Sequence, residues 1–189
     1  MLDVLNVPNV LTLLRLGAIP VFLILLTGLR YPEALGVFVA AGVTDALDGA
    51  IARLTHTKTT LGAYLDPAAD KLLLMSAFVA LAFMQEVPRW LTVIVLSRDV
   101  MLVVGYFLLF TMTQHAMEVR PSVAGKLSTF LQLSSVTVVL VSLVYRGTIP
   151  DAAETALFLI TGLVTAAAGV QYMIRGLLWL QRQGGGSAP

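Results

Sequence analysis

Four aspartates lie close together in this chain. They are Asp45, Asp48, Asp66 and Asp70, in the run Asp45-Ala-Leu-Asp48-Gly49-Ala-Ile-Ala52-Arg53 and, eight residues later, Gly62-Ala-Tyr-Leu-Asp66-Pro-Ala-Ala-Asp70. Spacings of three and four put each pair on one face of a helix. Long apolar stretches flank both halves. A carboxylate at the centre of a membrane helix is unfavourable by about 2.5–3.5 kcal/mol on insertion scales, and four of them also repel one another. A divalent cation is the simplest way to hold such a cluster. Oxygen donors without His or Cys suit Mg²⁺, Mn²⁺ or Ca²⁺ rather than zinc. The chain has no Cys at all, which also excludes disulfides and a Cys nucleophile.

The residues between the acids extend this chemistry. Gly49 and Ala52 share a face with Asp45 and Asp48, and Gly62 lies near the second pair. Small side chains there leave room for a ligand or a close helix contact. Arg53 adds a fixed positive charge suited to a phosphate or pyrophosphate. Metal, Arg and a spare carboxylate are the parts of a phosphoryl-transfer site: charge on the phosphate is neutralised while one carboxylate takes a proton from an attacking hydroxyl. Asp66 followed by Pro67 also reads as a helix N-cap and first helical position. For the four acids together, with Gly49, Arg53 and Gly62, the ligand-binding reading is preferred.

The elements that must position these groups are membrane helices. The sequence is 58% hydrophobic and 12% charged, against about 25% charged in soluble domains. Six apolar segments run roughly over 9–29, 32–54, 66–85, 88–112, 122–145 and 151–180, each near the 20 or so residues that cross a bilayer. Strict alternation is absent, so a barrel is excluded and helices remain. The expected fold is all-α and integral to the membrane, with six transmembrane helices in one domain over 1–183 and a flexible Gly-rich tail over 184–189. Spans two and three, joined by the short Thr55–Leu65 connection, are expected to be antiparallel and adjacent. Arg15, Arg53, Lys58, Lys71, Arg120, Lys126, Arg175 and Arg182 fall on the side of the termini, and only Arg30, Arg89 and Arg146 on the other. Both termini and the aspartate site are therefore expected to face the cytoplasm. A net charge of +1 suggests no nucleic-acid partner. The N-terminus does not read as a cleavable signal. A bacterial plasma membrane is the natural setting, with a mature organellar protein as the alternative.

The whole spacing, D-x-x-D-G-x-x-A-R-x8-G-x-x-x-D-x-x-x-D, resembles without mismatch the signature of the CDP-alcohol phosphotransferase family. The resemblance implies that Asp45, Asp48 and Asp66 ligate two divalent ions, Mg²⁺ or Mn²⁺. Asp70 would be both part of the ligand shell and the general base. Gly49, Ala52, Arg53 and Gly62 would form the cytidine and diphosphate pocket. It also implies a six-helix homodimer that transfers a phosphatidyl group from a CDP-linked donor to an acceptor hydroxyl and releases CMP.

The opening Asn6-Val-Pro-Asn9-Val-Leu-Thr12-Leu-Leu-Arg15 resembles members that use CDP-diacylglycerol in the phosphatidylglycerol and cardiolipin branch, with Asn9 assigned to the CDP pocket. Capping by Asn9 and interface anchoring by Arg15 are the plainer alternatives. Ser97-Arg98-Asp99 and Arg120-Pro-Ser-Val-Ala-Gly-Lys126 resemble the CMP-forming cardiolipin synthases, and Tyr106 stands where phosphatidylglycerophosphate synthases usually carry a second Arg. Arg98, Arg120 and Lys126 are the expected acceptor site. Phosphatidylglycerol is the preferred acceptor and glycerol 3-phosphate the alternative. Arg98 could instead serve a buried ion pair with an aspartate of the site, and Asp99 a pair with a neighbouring base. Gly162, Ala166 and Gly169 suit close helix packing at a candidate dimer seam. A small cation transporter is the rival of another class. It leaves Gly49, Arg53 and Gly62 unexplained, and all four acids fall on one side of the bilayer.

Overall fold

The computed structural model describes residues 7–55, 60–113 and 122–184, with side chains over 13–44, 71–105, 111, 122–179 and 181. Among the described residues every regular element is an α-helix: α1 (Val7–Thr27), α2 (Tyr31–Thr55), α3 (Thr60–Phe83), α4 (Arg89–Thr113), α5 (Val123–Val144) and α6 (Asp151–Gly184). Each coincides with one of the six expected apolar segments. The clearest boundary difference is α3, which begins at Thr60 rather than near Asp66. Apolar length marks where a chain enters lipid, not where its helix starts. Asp66 therefore lies inside α3 rather than at its start, and the N-cap reading of Asp66 falls. α6 is 34 residues long and ends at Gly184, further than a bilayer crossing requires. The rest of the tail, 185–189, lies outside the described residues.

Among the described residues, α5 and α6 are long and apolar enough to cross a membrane. Large apolar side chains also face outward along α1 to α4, including Ile24, Val43, Phe83 and Val103. Large uncovered apolar patches on a protein mark an interaction surface such as a membrane.

The chain forms two compact units. The first comprises residues 1–87 and 136–150. In it α1 packs along both α2 and α3, which meet each other at only a few positions among the described residues. This differs from the expected α2·α3 pair: the apolar face of α1 supplies the main surface for each. Phe22 on α1 and Phe38 on α2 are buried, with ring centroids 5.6 Å apart and planes tilted by 41°, within the favourable range for aromatic pairs. Leu26, Ala34, Ala77, Phe78 and Leu81 are also fully buried. α1 and α3 end alike. Arg30 N–H reaches back to the Leu25 carbonyl at 2.9 Å, and Glu86 N–H to the Leu81 carbonyl at 2.9 Å. Leu29 (φ 60°) and Gln85 (φ 64°) hold the left-handed position of this helix-ending motif. Pro32 and Pro88 follow closely.

The second unit comprises residues 88–135 and 151–189. Small residues of α6 admit α4. A Cβ on Gly162 would lie 2.5 Å from Cζ3 of Trp90, and one on Gly169 would lie 3.5 Å from Cγ of Arg98. Gly162 and Gly169 thus serve packing within one chain, which corrects their expected place at a dimer seam. Small residues signal a close approach without saying to which helix. The first part of α5 meets α6 through a buried polar ladder. Ser128 and Thr165 hydroxyls are 3.0 Å apart, and Gln132 Nε2 donates to both, at 3.1 and 3.2 Å. Ser135 and Thr161 pair at 2.9 Å. Such interhelical bonds contribute about 0.6 kcal/mol each on average in a membrane protein.

The Gly162 contact gives a direct check. Gly162→Val should lower stability by about 1–3 kcal/mol through overpacking, read as a drop in the thermal unfolding midpoint of purified protein. Trp90→Ala added to it should recover part of that loss, because it removes the ring that the new Cβ meets.

Candidate functional site

The aspartate window spans two helices of the first unit. α2 carries Asp45, Asp48, Gly49, Ala52 and Arg53 in its second half, and α3 carries Gly62, Asp66 and Asp70 in its first half. The side chains of all eight lie outside the described residues, as does Asn9 on α1. The helices alone still constrain the site. The connection is shorter than expected, residues 56–59 only, so the ends of α2 and α3 lie within about 18 Å of each other by chain reach. At 1.5 Å per residue, Asp48 and Asp66 each lie about 10 Å along their helix from that connection, and Asp45 and Asp70 each about 15 Å. The two acidic pairs therefore lie at similar distances along their helices from the connection. Among the described residues no group of three or more His, Asp or Glu offers a competing metal site. The donor set itself, four carboxylates in a chain without Cys, fits a hard divalent ion.

Arg15 on α1 is 3% exposed. It is enclosed by protein, which excludes the headgroup-anchoring alternative for this residue. His56 and His115 lie outside the described residues, and Lys71 is half-buried on α3.

The second unit holds the basic residues expected to meet an acceptor. Arg98 on α4 is buried, and its Nη1 donates to Oδ1 of Asp99 at 2.5 Å. This partner is the adjacent residue in sequence, as in the alternative that pairs Asp99 with a neighbouring base. The Arg98 guanidinium carbon lies 5.8 Å from the centroid of the Tyr172 ring, close enough for cation–π attraction. Lys126 is exposed in the first turn of α5. Arg120 lies outside the described residues, as does the Tyr106 side chain. Ser122 caps α5: its Oγ accepts from Gly125 N–H at 3.0 Å. Its own N–H donates to the Tyr172 hydroxyl at 3.2 Å. Tyr172 was not among the residues that the sequence singled out. The signal available was a phenol in an otherwise apolar run, paired with a Ser followed by Gly at cap spacing.

Comparison with known proteins bears directly on this arrangement. The profile of the CDP-alcohol phosphatidyltransferase family matches residues 5–173. The chain belongs to that family. The match takes in both acidic pairs, Arg98, Lys126 and Tyr172. A "probable phosphatidylglycerophosphate synthase" of Mycobacterium tuberculosis is 35% identical over 178 residues, covering 91% of this chain and 82% of that protein. The CMP-forming cardiolipin synthase of Rattus norvegicus is 43% identical over 103 residues, covering 54% of this chain and 34% of that protein. The one from Streptomyces coelicolor is 41% identical over 107 residues, covering 53% and 50%. The chain thus spans a third to a half of those two cardiolipin synthases and most of the mycobacterial protein. The likeness to family members in the phosphatidylglycerol and cardiolipin branch rests on both groups.

Within this family member the Arg98–Asp99 pair has a measurable consequence. Asp99→Asn leaves a buried guanidinium without its counter-charge and should destabilise by about 3–5 kcal/mol. The double change Arg98→Met with Asp99→Leu should lower the thermal midpoint less than Asp99→Asn alone. A larger drop in the double variant would contradict the pair's expected energetics.

Proposed function

We propose that the chain transfers a phosphatidyl group from CDP-diacylglycerol to the hydroxyl of a glycerol-type acceptor, with release of CMP, in the phosphatidylglycerol and cardiolipin branch of phospholipid synthesis. The observation that carries this reading is the family signature, complete from Asp45 to Asp70 and divided between the second half of α2 and the first half of α3. All six helices cross the membrane in this reading. The outward apolar side chains on α1 to α4 support it, and the signature then faces the cytoplasm in a bacterial plasma membrane. A homodimer is part of the same proposal.

Asp45, Asp48, Asp66 and Asp70 would hold two divalent ions, Mg²⁺ or Mn²⁺. When bound, these supply electrostatic stabilisation to the diphosphate and the departing CMP. Gly49, Ala52 and Gly62 would leave space for the cytidine and diphosphate, Asn9 would join them in binding CDP, and Arg53 would pair with a phosphate oxygen. Asp70 accepts the proton of the acceptor hydroxyl. That oxygen attacks the lipid-side phosphorus, a new P–O bond forms, and the bond to CMP breaks. Arg98, Arg120 and Lys126 hold the anionic part of the acceptor.

Phosphatidylglycerol is the preferred acceptor, which would make the product cardiolipin. Tyr106 stands where an additional Arg would help to bind a small dianion, and the 43% and 41% matches are to cardiolipin synthases. Glycerol 3-phosphate is the second reading, favoured by the broad match to the mycobacterial protein. Purified protein given CDP-diacylglycerol should release CMP with phosphatidylglycerol, lose that activity in chelator and regain it with Mg²⁺ or Mn²⁺. Product from glycerol 3-phosphate alone would replace the preferred acceptor, and full activity in chelator would remove the metals from the mechanism. Asp70→Asn should retain CDP-diacylglycerol binding while kcat falls by about 10²–10⁴. Turnover near that of the unaltered protein would exclude Asp70 as the base.

A further inference from the structure

We infer that Tyr172 is a positioning residue for the acceptor, fixing the Arg98 guanidinium and the start of α5 relative to each other. The inference rests on the reading of Arg98 and Lys126 as acceptor-binding groups. Arg98 is confined on several sides. Asp99 takes Nη1, the Gly169 backbone borders its stem, and the Tyr172 ring lies beside the guanidinium. Its Nε is buried and has no hydrogen-bond partner among the described residues. An oxygen of a bound acceptor would satisfy this buried donor.

The other end of Tyr172 acts on α5. Its hydroxyl accepts from Ser122 N–H, and the Ser122 carbonyl takes the Lys126 N–H at 3.1 Å to open the helix. A Cβ at Gly125 would lie 2.7 Å from the Tyr172 oxygen. Only a glycine at 125 admits the phenol so close to the α5 backbone. One side chain on α6 thereby ties a cation on α4 to the turn of α5 that carries Lys126. A single anionic acceptor that engages both cations requires that spacing to be fixed. Loss of Tyr172 should weaken acceptor binding specifically.

The test measures KM for acceptor and for CDP-diacylglycerol, with the thermal midpoint, in the full chain reconstituted in lipid. Tyr172→Leu should raise the acceptor KM about tenfold and leave the donor KM unchanged. Tyr172→Phe keeps the ring and loses only the hydroxyl, so it should raise the acceptor KM by about threefold with little change in midpoint. Arg98→Ala should raise the acceptor KM at least as much as Tyr172→Leu, and Arg98→Ala with Tyr172→Leu should be no worse than Arg98→Ala alone. Equal rises in both KM values, additive effects in the double variant, or an unaltered acceptor KM in Tyr172→Phe would overturn the positioning role while Arg98 keeps its own. An unaltered acceptor KM in Arg98→Ala would overturn the acceptor reading, and this inference with it. If Tyr172→Leu does not fold, Tyr172→Phe alone and combined with Arg98→Ala carries the same comparison.

Discussion

Ionised side chains in a mostly apolar helical chain are tolerable only where another charge answers them, and that requirement organises both units of this protein. In the first, four carboxylates are carried by α2 and α3 near their connection, and the proposed divalent ions would neutralise them. In the second, the buried Arg98 is answered by Asp99 and borders the electron-rich face of Tyr172. The two solutions differ in kind. A cluster of like charges needs a partner from outside the chain, whereas an opposite-charge pair is complete within it. The first is suited to binding and the second to holding a group in place.

Helix packing serves these sites with modest materials. Gly162 and Gly169 bring α4 against α6 without bulky side chains intervening, so that Trp90 and Arg98 can approach the α6 backbone closely. Between α5 and α6 the buried contacts include hydroxyls and one amide. In an apolar surround an unmatched hydroxyl is unfavourable, so every member of this ladder needs its partner. The first unit uses apolar contacts instead, with Phe22 and Phe38 at its centre.

Much of the architecture was legible in the sequence because long apolar runs bounded by turn residues mark helices. Six apolar segments anticipated α1 to α6. The start of α3 was not legible, since Thr60–Leu65 mixes polar and apolar residues and helix geometry continues past the apolar run. The aspartate and glycine spacing identified the signature because its chemistry is local in sequence and periodic on a helix. The Arg98–Asp99 contact was foreseen only as the alternative in which Asp99 pairs with a neighbouring base. Neighbouring residues on a helix do not face each other, and it takes the length of the Arg side chain to double back. Tyr172 escaped notice because its partners, Arg98 and Ser122, come from two other helices. Gly162 and Gly169 were read correctly as sites of close approach and assigned to the wrong neighbour.

The polar ladder has a further consequence for register. Ser128, Gln132 and Thr165 at one level, and Ser135 with Thr161 at another, fix α5 and α6 like teeth on two racks. Sliding one helix by a single turn, about 5.4 Å, would leave only one of Thr161 and Thr165 opposite a ladder partner and strand the other, so part of the ladder would be lost. Thr165 lies two turns from Tyr172 on α6, and Ser128 lies under two turns from Ser122 on α5. The ladder therefore indexes the height at which the phenol meets the α5 terminus. The axial alignment of that end is set well away from it, by hydroxyls that never touch a ligand.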